Sequence, residues 1–210
     1  MPAYFNVSLQ FKREDIYSNF MNDFYIALDI AGLKFLHGCD NEISQKQIVE
    51  WNQHKIEQNF VLGFTEHRSH DYKQSVFYFK NYSEIRGFWL NNYPEDNTFC
   101  YEIIIPESDV LVSECDTIFQ QQKINELLEL SKKIWQFPYI KVIQTGLEEN
   151  DASTRLSKIE QGEYPNISPF AIVEKENIQF INSEYYVNQF LGDRNGILLI
   201  LPSVSKKIIL

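Results

Sequence analysis

The densest group of side chains able to do chemistry is Glu66-His67-Arg68-Ser69-His70-Asp71. Imidazoles and carboxylates ligate transition metals, and His67 and His70 stand three apart, a spacing that would share one helix face. The flanking residues speak against a helix. Residues 60–65 and 75–80 both read as strands, so the cluster is expected to be a hairpin loop, a solvated polar turn. No HExxH and no distant Cys-His pair completes a zinc spacing, so no metal or other cofactor is expected. A small hydrolase or metal-binding enzyme built on Glu66, His67 and His70, with Asp71 or Cys39, stands as the alternative chemistry.

The three cysteines are the other candidate nucleophiles. His37-Gly38-Cys39-Asp40 sets thiol, imidazole and carboxylate side by side, but catalytic partners must meet in space rather than in sequence. Ser44, not Cys39, is placed to cap the next helix, so no helix field lowers the Cys39 pKa. Cys100 lies inside an aromatic strand and reads as core. Cys115 precedes a helix, yet Glu114 and Asp116 oppose its thiolate. An odd number of cysteines without a CxxC pair fits a reducing compartment, hence the cytoplasm. No GxGxxG, Walker A or GxSxG is present. No enzyme motif stands out.

The elements that must position these residues follow from periodicity. Residues 4–11 alternate Phe5, Val7, Leu9 and Phe11 against polar neighbours, a strand. Apolar residues then recur at helical spacing from about Glu14 to Ala31, with Gly32 at the end. Ser44 and Gln47 form a capping-box pattern, with Ile43 and Ile48 as staple, and the apolar stripe continues through Trp51 and Ile56. Residues 60–65, 75–80, 84–91 and 98–105 read as strands with short connections, an antiparallel meander. The loop 91–97 is a hairpin turn. A third helix is expected over 116–136, stopped by Pro138. Beyond it come a strand at 139–145, a short helix at 153–160, a hairpin of 170–175 with 178–182, a helix from Ser183 to Leu191, and an apolar strand at 196–201 covered on both faces. The fold class is α+β: a mainly antiparallel sheet, with a central β-meander, packed against helices. Residues 1–210 are read as a single domain, with 146–153 the one boundary candidate.

Charge carries the functional signal. The chain has 19 basic and 29 acidic residues, net −10. That excludes a general nucleic-acid binder, which needs a basic surface. The N-terminal residues lack a secretion signal, and no apolar run approaches the ~18 residues of a membrane span. No Lys or Arg occurs from Gly87 through Gln122, a stretch holding Glu95, Asp96, Glu102, Glu107, Asp109, Glu114 and Asp116. A second base-free run, 142–154, holds Glu148, Glu149 and Asp151. Such runs keep a protein soluble, and they also complement a basic partner. Tyr93, beside Pro94 in the hairpin loop, is the aromatic most suited to anchor a contact there. The expected partner-binding set is Tyr93, Glu95, Asp96, Glu107, Asp109, Glu114 and Asp116.

In length, acidity, cysteine usage and absence of catalytic motifs the chain resembles bacterial immunity proteins of polymorphic toxin systems. That resemblance implies a non-catalytic inhibitor that blocks a basic protein, commonly a cationic nuclease toxin, with acidic side chains where phosphates otherwise bind. An oligomeric regulatory or structural module, its partner another copy of itself, is a further alternative.

Overall fold

Phe5, Val7, Leu9 and Phe11 fall on one side of strand β1 (Tyr4–Lys12), and all four are buried. Period-two alternation of apolar side chains fixes both the strand and its register, because a one-residue slip would put Asn6, Ser8 and Gln10 into the apolar core. A computed structural model describes residues 3–38, 43–58, 73–91, 94–113, 116–148, 153–177, 186–192 and 194–205. The elements after β1 are α1 (Phe20–Ala31), β2 (Lys34–Gly38), α2 (Gln45–Glu57), β3 (Ser75–Tyr78), β4 (Ile85–Leu90) and β5 (Thr98–Pro106). Then follow α3 (Glu107–Val110), β6 (Leu111–Ser113), β7 (Asp116–Phe119), α4 (Gln121–Ile134) and β8 (Ile140–Leu147). The last are α5 (Leu156–Ile159), β9 (Phe170–Glu174), β10 (Val187–Leu191), β11 (Gly196–Ile200) and α6 (Pro202–Ser205).

Among the described residues nine strands form one sheet in the order β10-β11-β9-β8-β1-β5-β4-β3-β2, every neighbouring pair antiparallel. The fold is α+β, and β3, β4 and β5 make the expected meander. The sheet also continues across 146–153, since β8 before it pairs with β9 after it. Helices α1, α2 and α4 cover one face, and α5 covers part of the other. Strands near the β10 end serve both cores by alternation: Leu198 faces the main core and Leu199 the second, as Ile143 and Val142 do on β8. The unbroken apolar run of β11 therefore has buried side chains on both faces.

The main core is aromatic at its centre. Phe24 on α1 packs edge-on against Trp89 and Tyr101, each at 4.9 Å between ring centroids, while Phe11 stacks on Phe99 at 5.3 Å. Such pairs add about 0.5–1.5 kcal/mol beyond area burial. Gly87 is required by this packing, because a Cβ there would overlap the ring of Tyr101. Gly32 ends α1 with φ +109°, the left-handed conformation that lets the chain turn directly into β2.

Several expectations are corrected. Helix α1 starts at Phe20, not Glu14, because Arg13–Asp15 form a 3-10 turn pinned by the Arg13 N–H to Asn97 O. Ile16 still packs on the core, which is why the helical period seemed to begin early. Strand β2 was not expected, and a bulge between Phe35 and His37 breaks its alternation. The third helix starts at Gln121. Asp116–Phe119 is a strand instead, in which Phe119 pairs with Leu111 and Asp116 with Ser113 of β6. Val187–Leu191 is strand β10, not helix, since pairing with β11 overrides its weak local preference. In α2 the capping box forms as expected, but Trp51 is 40% exposed beneath Lys55 and Lys73. Asn52 takes the inward place, its side chain bonded to both the N–H and the C=O of Lys73. The expected strands at 60–65 and 178–182 lie outside the described residues.

Candidate protein-binding surface

The acidic stretch does not make one patch. Strand β5 is nine residues long, about 27 Å at the usual rise, and it separates the stretch into two ends. Glu95 and Asp96 sit in the short 3-10 turn before β5, whereas Glu107 and Asp109 lie in α3 after it.

At the first end the charge is answered from within. Asp96 accepts a hydrogen bond from Ser157 Oγ at 3.1 Å and pairs with Arg155 at 3.4 Å. Arg155 is held there by its neighbour: fully buried Gln144 bonds both the N–H and the C=O of Thr154 and takes the Asn166 N–H. A cleft of about 440 Å³ beside Asp96 is lined by Lys12, Arg13, Glu14, Asp96 and Glu160, and within it Lys12 and Glu160 pair at 2.6 Å. Glu95 is exposed. Positive and negative groups alternate here and largely cancel.

At the second end acids from four segments gather round the start of β1. The Glu107 N–H donates to Ala3 O, and the Glu148 N–H donates to Tyr4 O. Glu148 Oε2 in turn accepts from Tyr4 N–H at 3.1 Å, so Glu107 and Glu148 flank the strand from opposite sides. Asp109 Oδ2 accepts from the N–H and Oγ of Ser83, at 2.7 and 2.8 Å, tying α3 to the β3–β4 turn. Glu84, next along that turn, pairs with Arg86, which also bonds Tyr4 Oη and lies over the Tyr4 ring. Lys123 is occupied by Asn81 O and the face of Tyr82. The Tyr82 hydroxyl donates to Lys123 O, and burial, with Glu126 and Asp109 nearby, pushes its pKa up.

From this end projects the two-stranded ribbon β6–β7. Leu111 and Phe119 pair across it and point inward, Phe119 reaching Phe5 at 6.1 Å. By strand alternation their neighbours Val112 and Ile118 point outward, 65% and 59% exposed. The base of the ribbon is fixed by Gln120, whose N–H and side-chain amide bond Val110 O and Leu111 O. Asp116 opens β7 opposite Ser113 rather than standing at a helix entrance.

Of the expected partner-binding residues, Glu107 and Asp109 come together, while Glu95 and Asp96 are a strand length away. Tyr93 and Glu114 lie outside the described residues. Glu84 and Glu148 belong to the same end as Glu107 but come from outside the 87–122 stretch, so charge counting along the chain misses them. The apolar pair is not legible in the sequence, because a helical reading of 116–136 hides the strand that carries Ile118 opposite β6. Glu102, also in the stretch, sits mid-strand on the face away from the main core. It accepts from Ser8 Oγ at 2.6 Å, and burial raises its pKa. Burial, with Glu102 beside it, also holds the Cys100 thiol well above its ordinary pKa, which leaves it a poor nucleophile.

The residues of the alternative enzymatic site, Glu66, His67, His70, Asp71 and Cys39, lie outside the described residues. Among the described residues no three His, Cys, Asp or Glu side chains converge as metal ligands, and no helix is long and apolar enough to cross a membrane. No protein family, no curated protein and no solved structure matches the chain.

Proposed function

We propose that the protein is a non-catalytic acidic binding protein of the immunity or inhibitor kind, which blocks a basic partner such as a toxin. The observation that carries this reading is the exposed pair Val112 and Ile118 on a ribbon beside Glu107, Asp109, Glu84 and Glu148. An apolar centre with a charged rim is the anatomy of a protein contact. The rim accelerates encounter with a cationic surface, and desolvation of the centre slows departure. If the partner cleaves nucleic acid, carboxylates seated in its groove would take the positions of phosphates.

The test is recovery of partners from the native cell with the full chain as bait, at low and high salt. A basic protein held at low salt, released at high salt and lost from bait carrying Val112→Ser with Ile118→Ser is the expected outcome. A partner retained equally by that variant, or turnover of a small substrate by the isolated chain, overturns the reading.

A further inference from the structure

The ribbon β6–β7 stands apart from the nine-stranded sheet, as a separate pair of strands three and four residues long. A two-stranded hairpin alone is at best marginally stable in water. This one also turns Val112 and Ile118 to solvent. Its anchors lie at its base. There Phe119 packs on Phe5, and one residue, Gln120, ties three elements together. The Gln120 N–H donates to Val110 O at 2.7 Å, closing the end of α3, and its carbonyl accepts the Ile124 N–H at the start of α4. Its side-chain amide donates to Leu111 O, the first carbonyl of β6, at 2.6 Å. Helix α4 is itself fixed, because Ile124, Leu127 and Leu128 are buried in the main core.

We infer that Gln120 is the positioning residue of the contact proposed above. It carries the fixed place of α4 into the ribbon, so that Val112 and Ile118 hold one arrangement before a partner arrives. This role rests on the ribbon being the centre of that contact. Gln120 acts through Leu111 O rather than through the apolar pair, so removing its amide changes how the ribbon is held and not what it presents. A ribbon that ordered only on binding would lose chain entropy at that step. Its affinity would fall in proportion to the fraction of chains in which it is formed. The clamp at Leu111 O removes that loss in advance.

Amide hydrogen exchange of the full chain tests it, with Gln120→Leu set against Gln121→Leu. Gln121 is the next residue, and its amide bonds Asn125 within α4 at 2.9 Å. Gln120→Leu keeps the backbone bonds and removes the side-chain donor. The amides of Leu111–Ser113 and Asp116–Phe119 are expected to be protected in the wild-type chain. In Gln120→Leu they exchange about tenfold faster, while the melting temperature falls by no more than about 3 °C. In Gln121→Leu they exchange as in the wild type. The basic protein recovered by salt-dependent capture binds Gln120→Leu several-fold more weakly, through slower association, and binds Gln121→Leu as it binds the wild type. Ribbon amides that exchange freely in the wild-type chain overturn the inference, as does exchange untouched by Gln120→Leu or quickened equally by both variants. An affinity unchanged by Gln120→Leu overturns it too, and leaves the proposed function standing. Recovery of no basic protein by the wild-type chain overturns the proposed function, and with it the contact that Gln120 would serve.

Discussion

The two ends of β5 receive acids from one base-free stretch and treat them differently. At the Asp96 end, Arg155 comes back in space from elsewhere in the chain and pairs with Asp96, and Lys12 and Arg13 line the same cleft. At the Glu107 end the returning segments bring Glu148, and Glu84 with its partner Arg86, and an exposed apolar ribbon lies beside them. A run of like charge along a chain thus says little about a surface until the neighbours of its strand are known.

Removing what holds the first end together should have the largest effect. Gln144→Leu strips two hydrogen bonds from Thr154, beside Arg155, and a third from Asn166, and should lower stability by about 3 kcal/mol in denaturant unfolding. If partner affinity fell with it at temperatures where the variant is folded, the division between the two ends would be wrong. Next is the ribbon. Val112→Ser with Ile118→Ser should leave stability within about 0.5 kcal/mol and speed partner dissociation by about 10-fold or more, read by surface-bound kinetics. Charge comes third. Glu107→Gln with Glu148→Gln should slow association several-fold at low salt, about 1 kcal/mol or less, and the difference should vanish at high salt. Glu95→Gln with Asp96→Asn should leave the on-rate unchanged and cost under about 1 kcal/mol of stability, because the Asp96–Arg155 pair is partly exposed. Equal slowing by both pairs would merge the two ends into one surface.

The smallest effect belongs to Glu102, which serves neither end. Its folded pKa is raised above the ordinary 4.5 by burial, so the folded state holds the proton more tightly than the unfolded one. Stability is therefore greatest below 4.5 as far as this group is concerned, and it is lost as pH rises through the raised folded value. Glu102→Gln keeps an acceptor for Ser8 and should raise the melting temperature slightly at neutral pH while flattening that acid-side slope.

Much of the scaffold was legible because burial on one face imposes a period. The alternation of β1 and the reciprocal cap of Ser44 and Gln47 each state their structure within a few residues. Elements whose identity depends on a partner were not legible. Val187–Leu191 becomes a strand because β11 offers an edge, and Asp116–Phe119 because Leu111 lies across from Phe119. The site suffered in the same way. Glu95 and Glu107 are close in sequence yet lie at opposite ends of a strand, while Glu107 and Glu148, far apart in sequence, flank the start of β1 from its two sides. Composition reported the sign of the charge, and only strand order could report its place.

Strand order also has a consequence for how the chain is made. β1 leaves the ribosome well before its two neighbours, β5 and β8, which end at Pro106 and Leu147. At translation rates of about 5–20 residues per second, β1 waits on the order of ten seconds for its second partner. Until β5 is made, Phe5, Val7, Leu9 and Phe11 lie on a strand with neither edge paired, and until β8 is made one edge stays open. The middle of the sheet is therefore closed late, and the exposed edge of β1 is a hazard until β8 has been made.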